Sequence, residues 1–408
     1  MKEQYDVVIV GAGPSGASAA LYFKRTNVKV LLVDKAIFPR DKVCGDGIPL
    51  KTFNLIEELG IQEGDLFNHG YKIQQLRVYS PHNKITVYGN IHPDASTKSG
   101  CIPRLNFDNI LFEHATSVVD DFYVGFRLIK IGDYTDGGRE LVFKELKTEK
   151  IYTTRANLLV GADGANSLVA RYIGLRHHVD KDYFDGLRRY FESSREFYPS
   201  IHLFYDLRTI PGYVWIFPVS PYKANVGIMT TKQTLKQQGK NLKELFIEVL
   251  ETNAAIQDIL RDSRPVGRFR GAPLVLGTLP GKRIADGILL IGDAAGFINP
   301  ITGGGIYYGI LSAKYAAIFG SEAIKTLDTS VKSLQKYESW WRKTILPGFY
   351  YSDWLKRKFE SPKFITWFLN QCSKNRFFAN FFISIYGRPL SKFAFVHPKF
   401  WYQIFFQR

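Results

Sequence analysis

Cysteine and methionine are scarce in this chain, with three of one and two of the other in 408 residues. Cys44, Cys101 and Cys372 are odd in number, far apart and without a CxxC pair. That excludes a disulfide framework and a thiolate zinc site, and it fits a reducing compartment, the cytoplasm. No metal is expected from histidine either: eight are present without an HxxxH spacing, and the adjacent His177 and His178 read as surface rather than ligands. No eighteen consecutive apolar residues occur, so a membrane-spanning helix is not expected. The apolar run Tyr5–Val10 leads straight into glycines, which reads as a strand and not as a signal peptide. Acids are outnumbered by 54 Lys and Arg to 38, leaving a formal charge of +16 that suits an acidic partner surface. Internal repeats, low-complexity tracts and Pro/Gly/Ser linkers are absent. What remains is a globular composition, 45% hydrophobic and 15% aromatic, long enough for one large or two intermingled domains.

The stretch YDVVIVGAGPSGASAALYFKRTNVKVLLVDK carries three features at once. The β-branched run Val7–Val10 predicts a buried parallel strand. Gly11, Gly13 and Gly16 then give GxGxxG ahead of a small-residue helix, and a second strand, Val28–Val33, ends at Asp34. Each glycine has its own reason: Gly11 for a tight turn, Gly13 for backbone approach to a pyrophosphate, Gly16 for close packing of helix on strand. The helix N-terminus would face the phosphate charge. Asp34 would accept the ribose hydroxyls of an adenosine, and Ser15 and Lys35 complete the candidate contacts at this end. Up to here the dinucleotide is NAD or FAD.

Two later stretches decide. LLVGADGANSLVAR, 158–171, is a strand entering Asp163-Gly164, and GILLIGDAAGFINPITGGGIYYGI, 287–310, is a strand entering Gly292-Asp293. The second continues through Pro300 to Gly303, Gly304 and Gly305, which open a helix. Both place an aspartate at the carboxyl end of a strand, where open α/β sheets bind ligands. A carboxylate at Asp293 can hold a ribityl chain, and glycine amides at a helix start can stabilise negative charge on a flavin ring. Nicotinamide cofactors have no ribityl chain.

With these motifs in order, the chain resembles FAD enzymes of the para-hydroxybenzoate-hydroxylase-like fold. CIPRLNFDNILFEHA, 101–115, fits a fourth family segment, and the resemblance implies that Arg104 contacts the flavin side of the cofactor. The expected fold is α/β: a Rossmann-like FAD-binding domain (1–75, 101–180 and 275–330) interleaved with an antiparallel β-sheet substrate domain (76–100 and 181–274). A helical, basic and aromatic C-terminal region (331–408) follows. Short alternating runs such as GLRRYFES, SIHLFYD, GYVWIFPVS and ANVGIMTT predict the antiparallel sheet, and Asp136-Gly137-Gly138 predicts a hairpin turn.

Hydroxylases, halogenases, epoxidases and reductases share such a scaffold, so chemistry must come from local features. Period-two geometry puts Tyr213, Trp215 and Phe217 on one strand face and Val214 and Ile216 on the other. Taken alone, such a stripe is more often core than cofactor wall. Tyr-x-Trp-x-Phe-Pro followed by Gly227 resembles the signature of the geranylgeranyl reductase family, flavoenzymes that saturate isoprenoid double bonds. Lys42-x-Cys44-Gly45-x-Gly47 resembles that family's cysteine motif, which approaches the isoalloxazine ring. The resemblance implies Cys44, Tyr213 and Trp215 as catalytic candidates and Tyr213, Trp215, Phe217 and Gly227 as the substrate wall. It further implies Cys44 and Gly45 beside FAD, with NADPH as a transiently docked reductant. Reduced flavin would deliver hydride to one alkene carbon while Cys44, Tyr213 or a water protonates the other. A flavin monooxygenase or halogenase is the competing enzyme reading, and a flavin carrier without turnover the non-enzyme one.

Residues 341–408 change character, with 12 Lys and Arg against two acids and 21 aromatics in 68 residues. Phe pairs in apolar runs, including NRFFANFFISIYGR and HPKFWYQIFFQR, do not match a nucleic-acid surface. They fit a segment lying on anionic lipid, a cap over a substrate tunnel, or both.

Overall fold

A computed structural model describes residues 1–83, 86–90, 99–175, 183–375 and 379. His177, His178 and nearly all of the two Phe-rich tail stretches lie outside the described residues. At the centre is the strand Gln4–Val10, flanked in parallel by Val30–Asp34 and Ile151–Gly161. Asp121–Val124 and Ile288–Leu290 extend this parallel row at either side. Strands covered on both faces need side chains that tolerate full burial, and Val7, Val8, Ile9, Leu31, Leu159 and Val160 supply them without alternation. The helix Pro14–Lys24 lies between Arg104–Thr116 and Ile306–Lys325. Gly320 lets the last of these close in, because a Cβ there would stand 2.7 Å from Leu158 Cδ2. The predicted hairpin forms from Phe126–Thr135 and Gly138–Glu145. Asp136 and Gly137 take positive φ in its turn, and Gly138 already belongs to the second strand.

The second sheet runs Ser263–Val275, Tyr183–Ser193, Lys223–Thr230, Tyr213–Ser220, Ser200–Phe204, Gln75–Tyr79, Thr86–Asn90. It is antiparallel except where Ser200–Phe204 meets Gln75–Tyr79 in parallel, a pairing that a wholly antiparallel expectation does not contain. The period-two split of Tyr213–Ser220 is realised. Tyr213 and Trp215 pack with Met229 and Ile298, while Val214 and Ile216 pack with Leu245, Phe246 and Val249 from the helix Leu242–Thr252.

Three helices follow the long one: Val331–Thr344, Leu346–Phe359 and Pro362–Lys374. The first buries Leu334, Tyr337 and Trp341 in the core of the parallel sheet. The other two turn Leu355, Phe359, Ile365 and Leu369 into the cluster that holds Tyr213 and Trp215. This C-terminal region therefore packs on the same face of the strand as Tyr213 and Trp215. Among the described residues no helix is long and apolar enough to cross a membrane.

Candidate cofactor and substrate site

The first glycine turn is a cradle that side chains would fill. Gly11 has φ +102°, and a Cβ there would lie 2.3 Å from the Ala162 carbonyl oxygen. At Gly16 a Cβ would lie 1.7 Å from the Gly11 carbonyl oxygen. The helix that follows starts at Gly13 with no side-chain cap, so its amides face the turn. Arg40 reaches the same place, with Nη2 3.1 Å from where a Gly13 Cβ would stand. Asp34 braces the turn: one carboxylate oxygen accepts the Ala12 amide at 2.7 Å and the other the Ala36 amide at 2.7 Å. Each oxygen keeps a lone pair for a ribose hydroxyl.

The other two aspartates differ from one another. Asp163 caps a helix: it accepts the Leu168 amide at 2.7 Å and the Ser167 hydroxyl at 2.5 Å, at the start of Leu168–Tyr172. Its oxygens brace the start of that short helix, and Asp163 also lines the cavity described below, where the expected cofactor role remains open to it. Asp293 faces inward and accepts from Lys42 Nζ at 2.8 Å. Burial pushes its carboxyl up, but the Lys42 ammonium outweighs this and holds it below the usual range. Oδ1 of Asp293 stands 3.1 Å from a would-be Gly305 Cβ, and Gly305 opens the uncapped helix Ile306–Lys325.

Asp108 and Arg40, which the sequence did not single out, join Arg104 in a third group. Asp108, fully buried, accepts from Arg104 Nε at 2.5 Å and Nη2 at 2.7 Å, and from Arg40 Nη1 at 2.8 Å. Burial works against the Arg104 charge, yet this carboxylate holds its pKa above the ordinary value. The Arg104 charge also acts on the Cys44 thiol. Burial pushes that thiol up, with Arg104 pulling the other way, so the sulfur keeps its proton at neutral pH.

Behind Cys44 lies a buried polar knot. Asn225 Nδ2 donates to the Cys44 carbonyl and to Asp46 Oδ2, both at 2.7 Å, while its Oδ1 accepts from Trp215 Nε1 at 3.0 Å. Asp46 Oδ2 also accepts from the Tyr190 hydroxyl at 2.7 Å, and burial lifts its pKa to about 6 against these donors. The knot fixes the indole and the cysteine loop in one frame. Gly45 and Gly47 serve the same closure. A Cβ at either would stand 3.0 or 3.2 Å from Phe217 Cε2, so in this structure they admit the aromatic wall.

A cavity of about 740 Å³ is lined by both sheets. Gly11, Asp34 and Asp293 are on its wall together with Cys44, Trp215 and Phe217. Ser15, Lys35, Arg104, Tyr213, Gly303 and Gly304 line it as well. Gly16, Gly227, Gly292 and Pro300 do not line it. Gly227 acts from behind: a Cβ there would be 2.1 Å from Trp215 Cζ2, so only glycine lets the indole lie flat across the neighbouring strand. Gly292, at φ +57°, receives the Ser15 side chain. Tyr213, Trp215 and Phe217 stand at centroid spacings of 6.3 and 6.2 Å. The Tyr213 hydroxyl donates to the Thr302 carbonyl at 2.7 Å.

These residues fit FAD. A glycine cradle and an uncapped helix start sit at one end, and a second uncapped helix start with an inward carboxylate lies further along the same cavity. Residues 4–326 match the FAD binding domain family. Digeranylgeranylglycerophospholipid reductase 1 of Methanococcoides burtonii is 31% identical over 84% of this chain and 80% of its own length. The chain belongs to the geranylgeranyl reductase family. Like other members it is a flavin-dependent oxidoreductase. The solved structure of a geranylgeranyl bacteriochlorophyll reductase-like protein from Thermoplasma acidophilum superposes with a TM-score of 0.83 at 22% identity, covering 97% of this chain and 98% of that one. The flavin-dependent halogenase CmlS superposes with a TM-score of 0.71 at 19% identity, covering 96% of this chain and 67% of its own, and shares the fold alone.

Proposed function

We propose that this chain saturates carbon–carbon double bonds in the prenyl chain of an isoprenoid lipid, with NADPH as the reductant. One observation carries the reading. The Cys44 thiol, which burial inclines to keep its proton, stands on the wall of an FAD-fitting cavity that three aromatic rings also line. FAD, when bound, supplies two-electron redox chemistry there. The chain's own part is to exclude water, lay an apolar chain along Tyr213, Trp215 and Phe217, and hold a proton at Cys44 Sγ. A water-poor wall strengthens the Arg104–thiol interaction. Tyr213 is tied to the Thr302 carbonyl and serves as a wall residue, which leaves the thiol as the better proton source.

Anaerobic incubation of the dithionite-reduced holoenzyme with a panel of prenyl lipids tests the reading. Products heavier by two hydrogens per saturated bond are expected. NADPH consumption that needs oxygen, with no saturated product, would instead favour the monooxygenase or halogenase chemistry of fold neighbours.

An oily substrate must be collected from a lipid phase, and the C-terminal helices offer a face for it. Tyr350 and Trp354, four residues apart in Leu346–Phe359, are 57% and 44% exposed, and Trp367 in Pro362–Lys374 is 45% exposed. Lys358 lies 5.9 Å over the Trp354 ring. Aromatic rings beside cations on an exposed face suit peripheral attachment to anionic lipid. Co-sedimentation with vesicles containing anionic phospholipid is expected to be salt-sensitive and to fall several-fold in Trp354→Ser/Trp367→Ser. Equal pelleting by wild type and variant, in low and high salt, would remove the membrane from the proposal.

A further inference from the structure

One cation on the cavity wall takes no part in the contacts described so far. Lys51 is the second residue of the helix Leu50–Glu58, and its ammonium lies 4.1 Å from the Tyr307 ring centroid and 4.9 Å from that of Tyr308. All three residues line the cavity. The two tyrosines belong to the first turn of Ile306–Lys325. Neither helix has a side-chain cap or an acid in its first turn, so two positive helix ends and an ammonium meet at one corner. Burial is the one cause that acts on Lys51, lowering its pKa to about 7, and no carboxylate offsets it. Three other cations on the wall have carboxylate partners: Lys42 has Asp293, and Arg40 and Arg104 share Asp108. A cation drawn in from water without a counter-charge is unfavourable unless an anion arrives with the ligand. Two tyrosine faces hold it meanwhile.

We propose that Lys51 is the recognition residue for a phosphate-type anion carried by a ligand that enters the cavity. The inference rests on the prenyl-reductase reading of this cavity and adds to it a residue that selects phosphate-bearing ligands over neutral ones. FAD's own phosphates belong to the Gly11–Gly16 turn, and two further ligands carry such a group, the isoprenoid lipid on its head and the nicotinamide reductant on its nucleotide. An ammonium meeting a phosphate oxygen at the end of two helices forms a charge-assisted hydrogen bond that a neutral alcohol cannot replace.

The test uses FAD-loaded protein and reads binding without turnover, so it stands apart from any failure of alkene reduction. Geranylgeranyl diphosphate and geranylgeraniol are titrated by tryptophan fluorescence into wild type, Lys51→Met and Lys51→Arg, with Lys51→Gln replacing the methionine variant if that one loses FAD. The expected result is a loss of about tenfold or more for the diphosphate in Lys51→Met, little change for the alcohol, and recovery in Lys51→Arg. A parallel arm times bleaching of the bound flavin by NADPH against dithionite. If NADPH alone slows by about tenfold and diphosphate binding is unchanged, the anion is the nucleotide's. Equal losses for diphosphate and alcohol, or no change in either arm, would overturn the proposal.

Discussion

Cys44→Ala lowers the rate of prenyl double-bond reduction by about 10²–10⁴-fold while FAD stays bound, the range expected when a positioned proton donor is lost. The binding half follows from how the loop is held. Asn225 grips Cys44 by its carbonyl and Gly45–Gly47 meet Phe217 through backbone space, so alanine leaves the frame in place. The catalytic half follows from the sulfur. An isolated alkene accepts electrons poorly unless a proton is offered to its other carbon, and the donor must therefore hold its proton until the chain is seated. Burial raises the Cys44 pKa above an ordinary thiol's, with Arg104 acting against it. The protonated form thus persists through neutral pH, and activity that needs it should decline only in the alkaline range. Cys44→Ser keeps the shape but offers a weaker acid, and an intermediate rate is expected. Rapid mixing of reduced holoenzyme with prenyl substrate under nitrogen, followed by flavin reoxidation, gives the number directly. A rate within a factor of about two of wild type would take the thiol out of the proton path.

Where backbone geometry dictates residue type, the site was legible in the sequence. Gly11 and Gly16 must be glycine because of contacts with their own loop and the next strand, so their spacing reports the cradle without any partner being known. The aromatic stripe was legible for a similar reason, since alternation along a strand maps directly to faces. Asp163 shows where this kind of reading stops. Aspartate after a strand also serves helix starts, and here it accepts the Leu168 amide while lining the cavity, two uses that the sequence alone does not separate.

The charged frame was illegible because its members are joined only by tertiary folding. Asp46 stands 144 residues from Tyr190 and 179 from Asn225, and Asp108 stands 68 from Arg40. Lys51 meets its tyrosines from the far end of the chain. A local signal did exist for Asp46, an aspartate between two glycines in CGDGI that takes φ +66°. The strand Ser263–Val275 was hidden differently. It carries Pro265, Gly267, Gly271 and Pro273, residue types that break a strand pattern, yet this is an edge strand, where proline, glycine and exposed arginine are tolerated and discourage further pairing.

Asp108→Ala is expected to cost about 3–5 kcal/mol of stability and to abolish tight FAD binding. Asp108 is the single carboxylate between two guanidiniums, and its removal strands Arg104, which is itself buried, without a counter-charge. The penalty comes from the charges left behind and not from any intrinsic worth of the ion pair. That distinction can be tested with two further variants. Arg261→Ala removes a pair whose partners are each 66% exposed, and water should hold its effect under about 1 kcal/mol. Asp108→Leu/Arg104→Met/Arg40→Met removes the stranded charges together with their partner. It should recover most of the lost stability in urea unfolding while FAD binding stays lost, because Arg40 no longer reaches the glycine cradle and Arg104 no longer faces the thiol. If Asp108→Ala unfolds within about 1 kcal/mol of wild type, the charged frame is not what holds this end of the cavity.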